Sequence, residues 1–399
     1  MHPPSYDAQA IARTLQDLIA IRSLSGEETA LADCLQGFLQ RARVPVQRDA
    51  QDDLVAVLEP ERPGDPARTT LLFSGHLDTV PPGADWAGDP LTPRVEGAGE
   101  EQRIVGLGAT DMKSGLAVMA HLAARLASGA ERLKRLRVAF CFTACEERSA
   151  AGRSNGVREV LKRLRGRWAV TVEASCDAAG PTLALGCQGH ALVRAGFRGQ
   201  AAHSAAPESG RNAIHAAALF AARVAELHAR FPEAPVYGPL KARAAAAVTL
   251  IAGGRAHNVI PDRCEVTVSR RTVPGESLAE VERELLALDP RLEGVTMGCH
   301  VESDGPACVV DVNGPLFRAA TAASQQLFGR VRYTWNRART DLVLFKRAGL
   351  DVLNAGPGQI GQAHAANEWV RVADLARAAA LLEEICRALD GEVEKEAGG

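Results

Sequence analysis

The sequence lacks the features that would place a chain in a membrane or direct it out of the cell. No apolar run approaches the roughly 20 residues of a membrane-spanning helix. Residues 1–10 show neither the apolar centre of a signal peptide nor the Arg-rich pattern of a transit peptide. The nine cysteines form no CxxC pair, and several lie in apolar runs. We therefore expect buried free thiols and a cytoplasmic location.

The chain also has little net charge and no phosphate-binding motif. Its 46 Lys and Arg residues nearly balance 48 Asp and Glu residues, which leaves a formal net charge of -2. Balanced charge gives no reason to expect a nucleic-acid or membrane-surface partner. The GxG turn at 106–108 is followed by neither GxGxxG nor the lysine spacing of a P-loop.

The length and the order of predicted elements indicate two domains. A chain of 399 residues with 46% apolar residues is long for a single core. Strands alternate with helices in 1–187 and again in 303–399, a pattern typical of an α/β fold with a mostly parallel sheet. Residues 188–302 instead predict a compact α+β unit. The simplest architecture is therefore an α/β domain interrupted by an inserted α+β domain.

Local patterns add detail to that architecture. Ser25 and Glu28 have the spacing of a capping box ahead of an amphipathic helix. Residues 70–74 and 136–143 predict buried strands, and 168–173 predicts another.

Polar residues follow these predicted strands at their carboxyl ends, where sites form in open α/β sheets. His76 could ligate a metal while Asp78 holds its other ring nitrogen, although an HxD pattern by itself is equally consistent with a structural role. Asp111 enters a predicted helix, so it is either a ligand or an N-cap. Glu146 and Glu147 are either a ligand beside a free base or the acidic first turn of a helix.

Two further residues complete a set of candidate ligands. Glu173 ends a predicted strand, and His364 lies on a glycine-rich loop after the strand 352–354. With His76, Asp111 and Glu147, they supply imidazole and carboxylate donors, which suit Zn, Mn or Co. A carboxylate that bridges two metals about 3.5–4 Å apart is the known device for two-metal hydrolysis.

The sequences and the order of these motifs resemble those of a family of dinuclear zinc metallopeptidases and deacylases. That family contains acetylornithine deacetylase, succinyl-diaminopimelate desuccinylase, aminoacylase and the glutamate carboxypeptidases. The resemblance spans about residues 10–390. The matching stretches are SGHLDTVPPG, GLGATDMKSG, EE after a strand, AAHSAAP, HNVIPDRCEVTVSRRTVPGES and GPGQIGQAHAANE.

The resemblance implies a catalytic domain of the zinc-aminopeptidase type and a role for each matched residue. His76 and Glu173 would hold one metal, Glu147 and His364 the other, and Asp111 would bridge them. Both metals would be zinc, with cobalt or manganese as alternatives. Asp78 would orient His76, and Glu146 would be the general base.

The inserted domain would be the family's lid, which in many members also forms a homodimer contact. His203 would stabilise the oxyanion in its own or the partner's site. Asn258 and Arg271 would contact substrate, with Arg271 suited to clamp a free α-carboxylate.

The sequence departs from the family pattern at two positions. Glu173-Ala174-Ser175 stands where Glu-Pro-Thr is common, so Asp177 is an alternative to Glu173 as a ligand. Ser269 stands where relatives often carry an aspartate. That aspartate is structural in our interpretation, so activity is still expected.

The motifs look most like those of acetylornithine deacetylase. We therefore expect hydrolysis of the amide of an N-acyl-amino acid, with N-acetylornithine first. A dipeptidase, a carboxypeptidase or a succinyl-diaminopimelate desuccinylase is the alternative within the family. A metal-binding protein without catalysis is the alternative from another class.

Overall fold

A computed structural model describes residues 5–129, 132–148, 150 and 152–398. Met1–Pro4, the beginning of the N-terminal segment 1–10, lie outside the described residues. The chain divides into two compact units. The first, here the catalytic unit, comprises Met1–Gly186, Val310–Asn336 and Thr340–Gly399. The second, here the inserted unit, comprises Cys187–Val309 and Arg337–Arg339.

The first part of the catalytic unit alternates helices and strands, as the apolar periodicity predicts. Its elements are α1 (Ala8–Ile19), α2 (Thr29–Arg41), β1 (Val46–Arg48), β2 (Leu54–Leu58), α3 (Pro66–Thr69), β3 (Thr70–His76), β4 (Arg94–Glu96), β5 (Arg103–Val105), α4 (Lys113–Ala127), β6 (Arg137–Thr143), α5 (Gly156–Arg163), β7 (Trp168–Thr171) and β8 (Leu183–Cys187).

The inserted unit follows, and the chain then returns to the catalytic unit. The inserted elements are β9 (Gly189–Arg198), α6 (Ala213–Arg230), β10 (Glu233–Tyr237), β11 (Leu240–Arg243), β12 (Ala245–Gly253), β13 (Arg263–Thr272), α7 (Leu278–Leu286), β14 (Thr296–Gly305) and β15 (Cys308–Val309). The returning elements are α8 (Pro315–Phe328), β16 (Tyr333–Asn336), α9 (Leu342–Arg347), β17 (Asp351–Asn354), β18 (Trp369–Arg371) and α10 (Val372–Gly398).

The main sheet of the catalytic unit is mixed. Its strands run in the order β1-β2-β6-β3-β7-β17-β8, with β16 paired to β8. The four central strands, β6, β3, β7 and β17, are parallel, whereas β1, β2 and β8 pair antiparallel with their neighbours. The predicted α/β class is therefore confirmed, with the parallel arrangement confined to the centre.

The central strands are continuous apolar runs in the sequence because both faces of each strand are buried. Every residue of β3 and β7 is buried, because helices cover both faces of a parallel sheet. The helix α4 contacts β3, β2 and β6, and α10 packs on α8, α4 and α1. The carboxyl ends of the parallel strands are consequently held at one rigid edge.

The inserted unit is built on an antiparallel sheet in the order β12-β13-β9-β14. The helix α6 packs on β12, β13 and β9, and α7 packs on β14. Burial alternates along β9 and along much of β13, as expected when one face of a sheet packs on helices and the other does not.

One local prediction is wrong, and two alternatives that the sequence left open are excluded. The capping box at Ser25 and Glu28 is absent: α2 begins at Thr29 without a side-chain cap, and the Ser25 hydroxyl donates instead to Asp78 (2.6 Å). Asp111 is not an N-cap, because Met112 occupies that position ahead of α4. Among the described residues between β6 and α5, none is helical, so Glu146 and Glu147 do not form the first turn of a helix.

Among the described residues, no helix has the length and apolarity required to cross a bilayer. All nine cysteines are present as thiols, and seven of them are buried, as expected from their apolar surroundings.

Candidate metal centre

The ends of three adjacent strands bring the predicted ligands to one edge of the main sheet. His76 is the last residue of β3 and lies opposite Thr143, the last residue of β6. The glutamates 146 and 147 follow β6 within four residues, and Glu173 follows β7 within two. Because β6, β3 and β7 are parallel neighbours, these side chains emerge at the same end of the sheet.

Asp111 lies between the two predicted histidine ligands. Its Oδ1 is 3.0 Å from Nε2 of His76, and its Oδ2 is 3.5 Å from Nε2 of His364. One carboxylate therefore presents a different oxygen to each imidazole, which is the arrangement that a bridging ligand requires.

Glu147 extends the cluster on the side of His364. Its Oε1 lies 2.9 Å from Nε2 of His364. Ligand atoms of His76, Asp111 and Glu147 all lie within 4.8 Å of one another. Imidazole combined with carboxylates is a donor set that suits zinc and related ions, so the residues present fit a metal centre.

The protonation of the cluster follows from these contacts. Burial alone would lower the pKa of His76, but the hydrogen bond and charge of Asp111 outweigh it and raise that pKa well above its usual value. The hydrogen bond to Glu147 raises the pKa of His364 to about 8. Imidazole must be neutral to bind a metal, so metal binding at this site would release protons.

Asp78 is placed differently from the HxD expectation. Nδ1 of His76 lies 2.9 Å from the backbone carbonyl of Asp78, while its distance to the Asp78 carboxylate is 3.7 Å. The buried carboxylate accepts instead from the backbone N–H groups of Glu146 and Glu147, both at 3.0 Å. Asp78 therefore positions His76 through its backbone and the two glutamates through its side chain.

Glu146 remains outside the ligand cluster. Burial, reinforced by the negative charge of Asp341, raises its pKa well above the usual value for a glutamate. The preceding residue, Cys145, has φ 58, a left-handed conformation that non-glycine residues seldom adopt. His364 has a similar φ of 60. Such strain is concentrated at functional sites, where the surrounding contacts maintain it.

Glu173 and its alternative, Asp177, have different surroundings. Glu173 is buried, and its negative charge is one cause of the raised pKa of Glu146. Asp177 instead accepts from the Ala179 backbone N–H at 2.7 Å and pairs with Arg332. Gly356 lies very close to the backbone of residues 172–173. A Cβ added at Gly356 would lie 2.3 Å from the Val172 carbonyl oxygen.

The sequence patterns did not indicate Glu368, whose carboxylate holds the backbone at Asp111 in place. Its carboxylate accepts from the backbone N–H groups of Gly108 (2.9 Å), Thr110 (2.7 Å) and Asp111 (2.7 Å). Burial, followed by the nearby Asp111 charge, raises the pKa of Glu368 to about 8. The only sequence signal is its position at the end of the GPGQIGQAHAANE stretch.

The remaining predicted site residues belong to the inserted unit. His203 is exposed and forms a bridge with Val259, and the Ser204 backbone N–H donates to the Asn258 carbonyl oxygen (2.9 Å). His203 and Asn258 therefore lie on adjoining loop segments. Arg271 is half-buried near the end of β13, opposite His190 on β9.

Comparison with known proteins places this fold and site in a family. The sequence profile of Peptidase family M20/M25/M40 matches residues 72–388, most of the chain. The protein belongs to peptidase family M20. M20 enzymes are metallohydrolases that act on amide bonds, and the deacylase or exopeptidase class expected from the motifs is thereby confirmed.

Individual relatives agree with M20 membership but differ in their activities. The chain is 32% identical over 368 residues to a putative succinyl-diaminopimelate desuccinylase of Mycobacterium tuberculosis, covering 92% of this chain and 94% of the relative. It is 28% identical over 397 residues to acetylornithine deacetylase of Myxococcus xanthus, with coverages of 94% and 96%. The specific substrate therefore does not follow from M20 membership.

A solved M20 structure has the same fold. The dinuclear metal-binding peptidase YXEP of Bacillus subtilis superposes with a TM-score of 0.71 at 16% identity, covering 95% of this chain and 97% of that one. At this identity, the similarity establishes the fold alone.

Proposed function

We propose that this M20 protein is a deacylase that hydrolyses the amide bond of an N-acyl-amino acid with two divalent metal ions, zinc by preference. His76 and Glu173 would hold one ion, Glu147 and His364 the other, and Asp111 would bridge them. The observation that carries the proposal is the Asp111 carboxylate, which directs one oxygen towards each histidine at 3.0 and 3.5 Å.

The bound ions would polarise the acyl carbonyl and lower the pKa of a water molecule, which is the chemistry that metals supply in such hydrolases. Side chains of the protein carry out all other steps. Glu146 takes the proton from the attacking water and returns it to the departing amine. Its pKa is raised above the usual value of a glutamate, which supports this role because a carboxylate with a higher pKa is a stronger base.

Residues of the inserted unit would contribute the remaining groups. His203 would donate to the oxyanion that develops on the acyl carbonyl, in its own subunit or in a partner's. Its Nδ1 accepts from the Ala205 backbone N–H at 3.1 Å, which leaves Nε2 as the nitrogen that carries a proton to donate. Asn258 and Arg271 would contact the substrate, with Arg271 binding a carboxylate.

N-acetylornithine is the first substrate to test, because the motifs look most like those of acetylornithine deacetylase. N-succinyl-diaminopimelate is the second candidate, favoured by the 32% identity to a putative desuccinylase. The purified protein, loaded in turn with Zn, Co and Mn, would be given both compounds and a panel of dipeptides. Cleavage of an N-acyl-amino acid at a higher kcat/KM than any dipeptide is expected. Preferential cleavage of dipeptides would replace the deacylase assignment with an exopeptidase.

We also propose a homodimer formed through the inserted unit. The strand β12 is at the edge of its sheet, and Leu250 and Ile251 on it are 65% and 52% exposed. An unpaired edge with exposed apolar side chains favours association with a second copy. A cytoplasmic location remains part of the proposal and is supported by the nine cysteine thiols.

A further inference from the structure

Two arginines of the inserted unit lie near each other, and neither pairs with an acidic side chain among the residues that the structure describes. They are Arg271 on β13 and Arg339 in the short segment Arg337–Arg339, which clusters with the inserted unit. Two other arginines of the strands β9 and β13 do form ion pairs with acidic side chains. Arg270 pairs with Glu276 and Glu284, and Arg194 pairs with Glu265 and Glu302.

Arg271 lies on the face of the inserted sheet that the helices do not cover. Along β13, the buried residues Val268, Arg270 and Thr272 alternate with the half-buried Ser269 and Arg271. Successive side chains of a strand point to opposite faces, so Ser269 and Arg271 share the less buried face. His190 on β9 is directly opposite Arg271, and its Nε2 lies 3.2 Å from the Ser269 hydroxyl, which places it on the same face.

Arg339 lies close to Arg271, and one of its N–H groups has no acceptor among the described residues. Its Nε is buried and has no hydrogen-bond partner among the described residues. Burial, followed by the charge of Arg339, lowers the pKa of Arg271. Two guanidinium groups thus share a partly buried environment.

This arrangement is unfavourable unless an anion joins it. Like charges repel at short range, and a buried donor without an acceptor costs about 1–3 kcal/mol. A carboxylate between two guanidinium groups would remove both costs, because each planar fork can donate two parallel hydrogen bonds to it.

We propose that Arg271 and Arg339 together bind a carboxylate of the substrate, and that Arg339 is a residue that sets specificity for anionic substrates. The inference rests on the proposed deacylase function and extends it to a residue that no motif indicated. The carboxylate belongs either to the acyl group or to the amino acid, and the chemistry of recognition is the same for both.

The first experiment compares matched substrates on the metal-loaded enzyme. One pair is the N-succinyl and N-succinamoyl derivatives of one amino acid, and the other is an N-acetylamino acid and its carboxamide. The wild type should prefer the carboxylate member of at least one pair by roughly ten- to hundredfold in kcat/KM, the range expected for a charged hydrogen bond. The pair that shows this preference identifies which carboxylate is bound.

Variants then assign the preference to the two arginines. Arg339→Met and Arg271→Met should each reduce it by about tenfold or more, mainly through KM. Arg339→Lys should retain part of it, since lysine retains the charge but not the fork. Arg337→Met is the matched control, because Arg337 is exposed and lies two residues away. The proposal is wrong if the wild type has no preference, or if Arg339→Met and Arg339→Lys both retain all of it.

A binding measurement separates this inference from the proposed function. Titration of the metal-loaded protein with succinate and with succinamide, its uncharged diamide, compares ligands with and without carboxylates. Arg339→Met should weaken succinate binding by about tenfold or more and leave succinamide binding unchanged. If the wild type cleaves no amide but shows this pattern, the deacylase proposal fails and the carboxylate site stands. Equal succinate affinity in the wild type and Arg339→Met overturns the site whatever the enzyme cleaves.

Discussion

The carboxylates at this site have different surroundings, and these surroundings support a different proposed role for each. Asp111 faces two histidines, Asp78 accepts from two backbone N–H groups, and Glu146 has a raised pKa because it is buried near Asp341. The residue type alone does not distinguish a ligand, a positioning group and a base. Hydrogen-bond partners and burial distinguish the roles proposed here for the carboxylates.

Glu146→Gln tests the base directly. The variant should retain its metal content, because Glu146 lies outside the proposed ligand set, and its kcat should fall by roughly 10²–10⁴ because glutamine cannot accept the proton. Steady-state kinetics and metal analysis would be made on the same preparation. Glu159→Gln, on the surface helix α5, serves as the control. Near-normal turnover of Glu146→Gln would exclude the proposed role.

Glu368→Gln tests a residue that positions a ligand without binding metal itself. Glutamine has one acceptor oxygen where Glu368 uses two to receive three backbone N–H groups. Loss of such support should weaken metal binding by roughly 10–100-fold. At saturating metal, kcat should recover. Chelator competition measures the affinity, with the exposed Glu100→Gln as control, and an unchanged affinity would contradict the positioning role.

At the scale of elements, the turn after β6 depends on a contact from the loop between β1 and β2. The buried Asp53 accepts from the Ala144 backbone N–H (2.8 Å), and the Gly156 backbone N–H donates to the Ala144 carbonyl oxygen (2.8 Å). A Cβ on Gly156 would lie 2.1 Å from Oδ1 of Asp53, so glycine is required there. These contacts hold the backbone from which Glu146 and Glu147 project.

Asp53→Asn should change the pH dependence of stability. Burial, followed by the nearby Asp49, raises the pKa of Asp53 to about 7 from its usual 3.8. Between these values the unfolded chain releases the proton first, so the wild type loses stability as pH rises from about 4 to 7. Asparagine retains the acceptor for Ala144 and carries no charge, so the variant should avoid that loss.

The measurement is urea unfolding of the metal-free protein at pH 4.5 and pH 8. Asp53→Asn should be more stable than the wild type at pH 8, by about 1–3 kcal/mol, and nearly equal to it at pH 4.5. Asp17→Asn, on the exposed face of α1, is the control. A variant that is less stable at pH 8 would mean that the Asp53 charge stabilises the turn.

At the scale of the whole molecule, the proposed chemistry is divided between two compact units. The metal ligands and Glu146 belong to the catalytic unit, whereas His203, Asn258 and the Arg271–Arg339 pair belong to the inserted unit. This division is consistent with M20 relatives that act on different substrates, because the proposed metal ligands and the proposed recognition residues lie on separate structural units.

Replacing both Leu250 and Ile251 with glutamate should separate the proposed homodimer. Charge on an edge strand opposes pairing with another edge, so the variant should be a monomer where the wild type is a dimer. Light scattering after size exclusion gives the mass. Leu219→Glu is the matched control, since Leu219 is 47% exposed on α6 of the same unit. A monomeric wild type, or a dimeric double variant, would refute an interface at β12.

Several elements were predictable because their signal is local. The apolar run at 136–143 corresponds to β6 within one residue at each end, and the run at 70–74 begins where β3 begins. The strand β8 and the hairpin of β10 and β11 were not predicted. Pro235 and the polar residues of the hairpin obscure its alternation, and β8 is stabilised by pairing with β16 and β17, which come more than 140 residues later.

The amino-acid sequence by itself determined the α/β class, M20 membership and the supply of imidazole and carboxylate donors at strand ends. These properties follow from apolar periodicity and from the residue that ends each run. Only the tertiary structure decided which oxygen of Asp111 faces which histidine, that Glu368 supports Asp111, and that Arg339 lies near Arg271. The physical reason is separation along the chain: Glu368 and Asp111 are 257 residues apart. A hydrogen bond over that distance is set by packing, which no local pattern encodes.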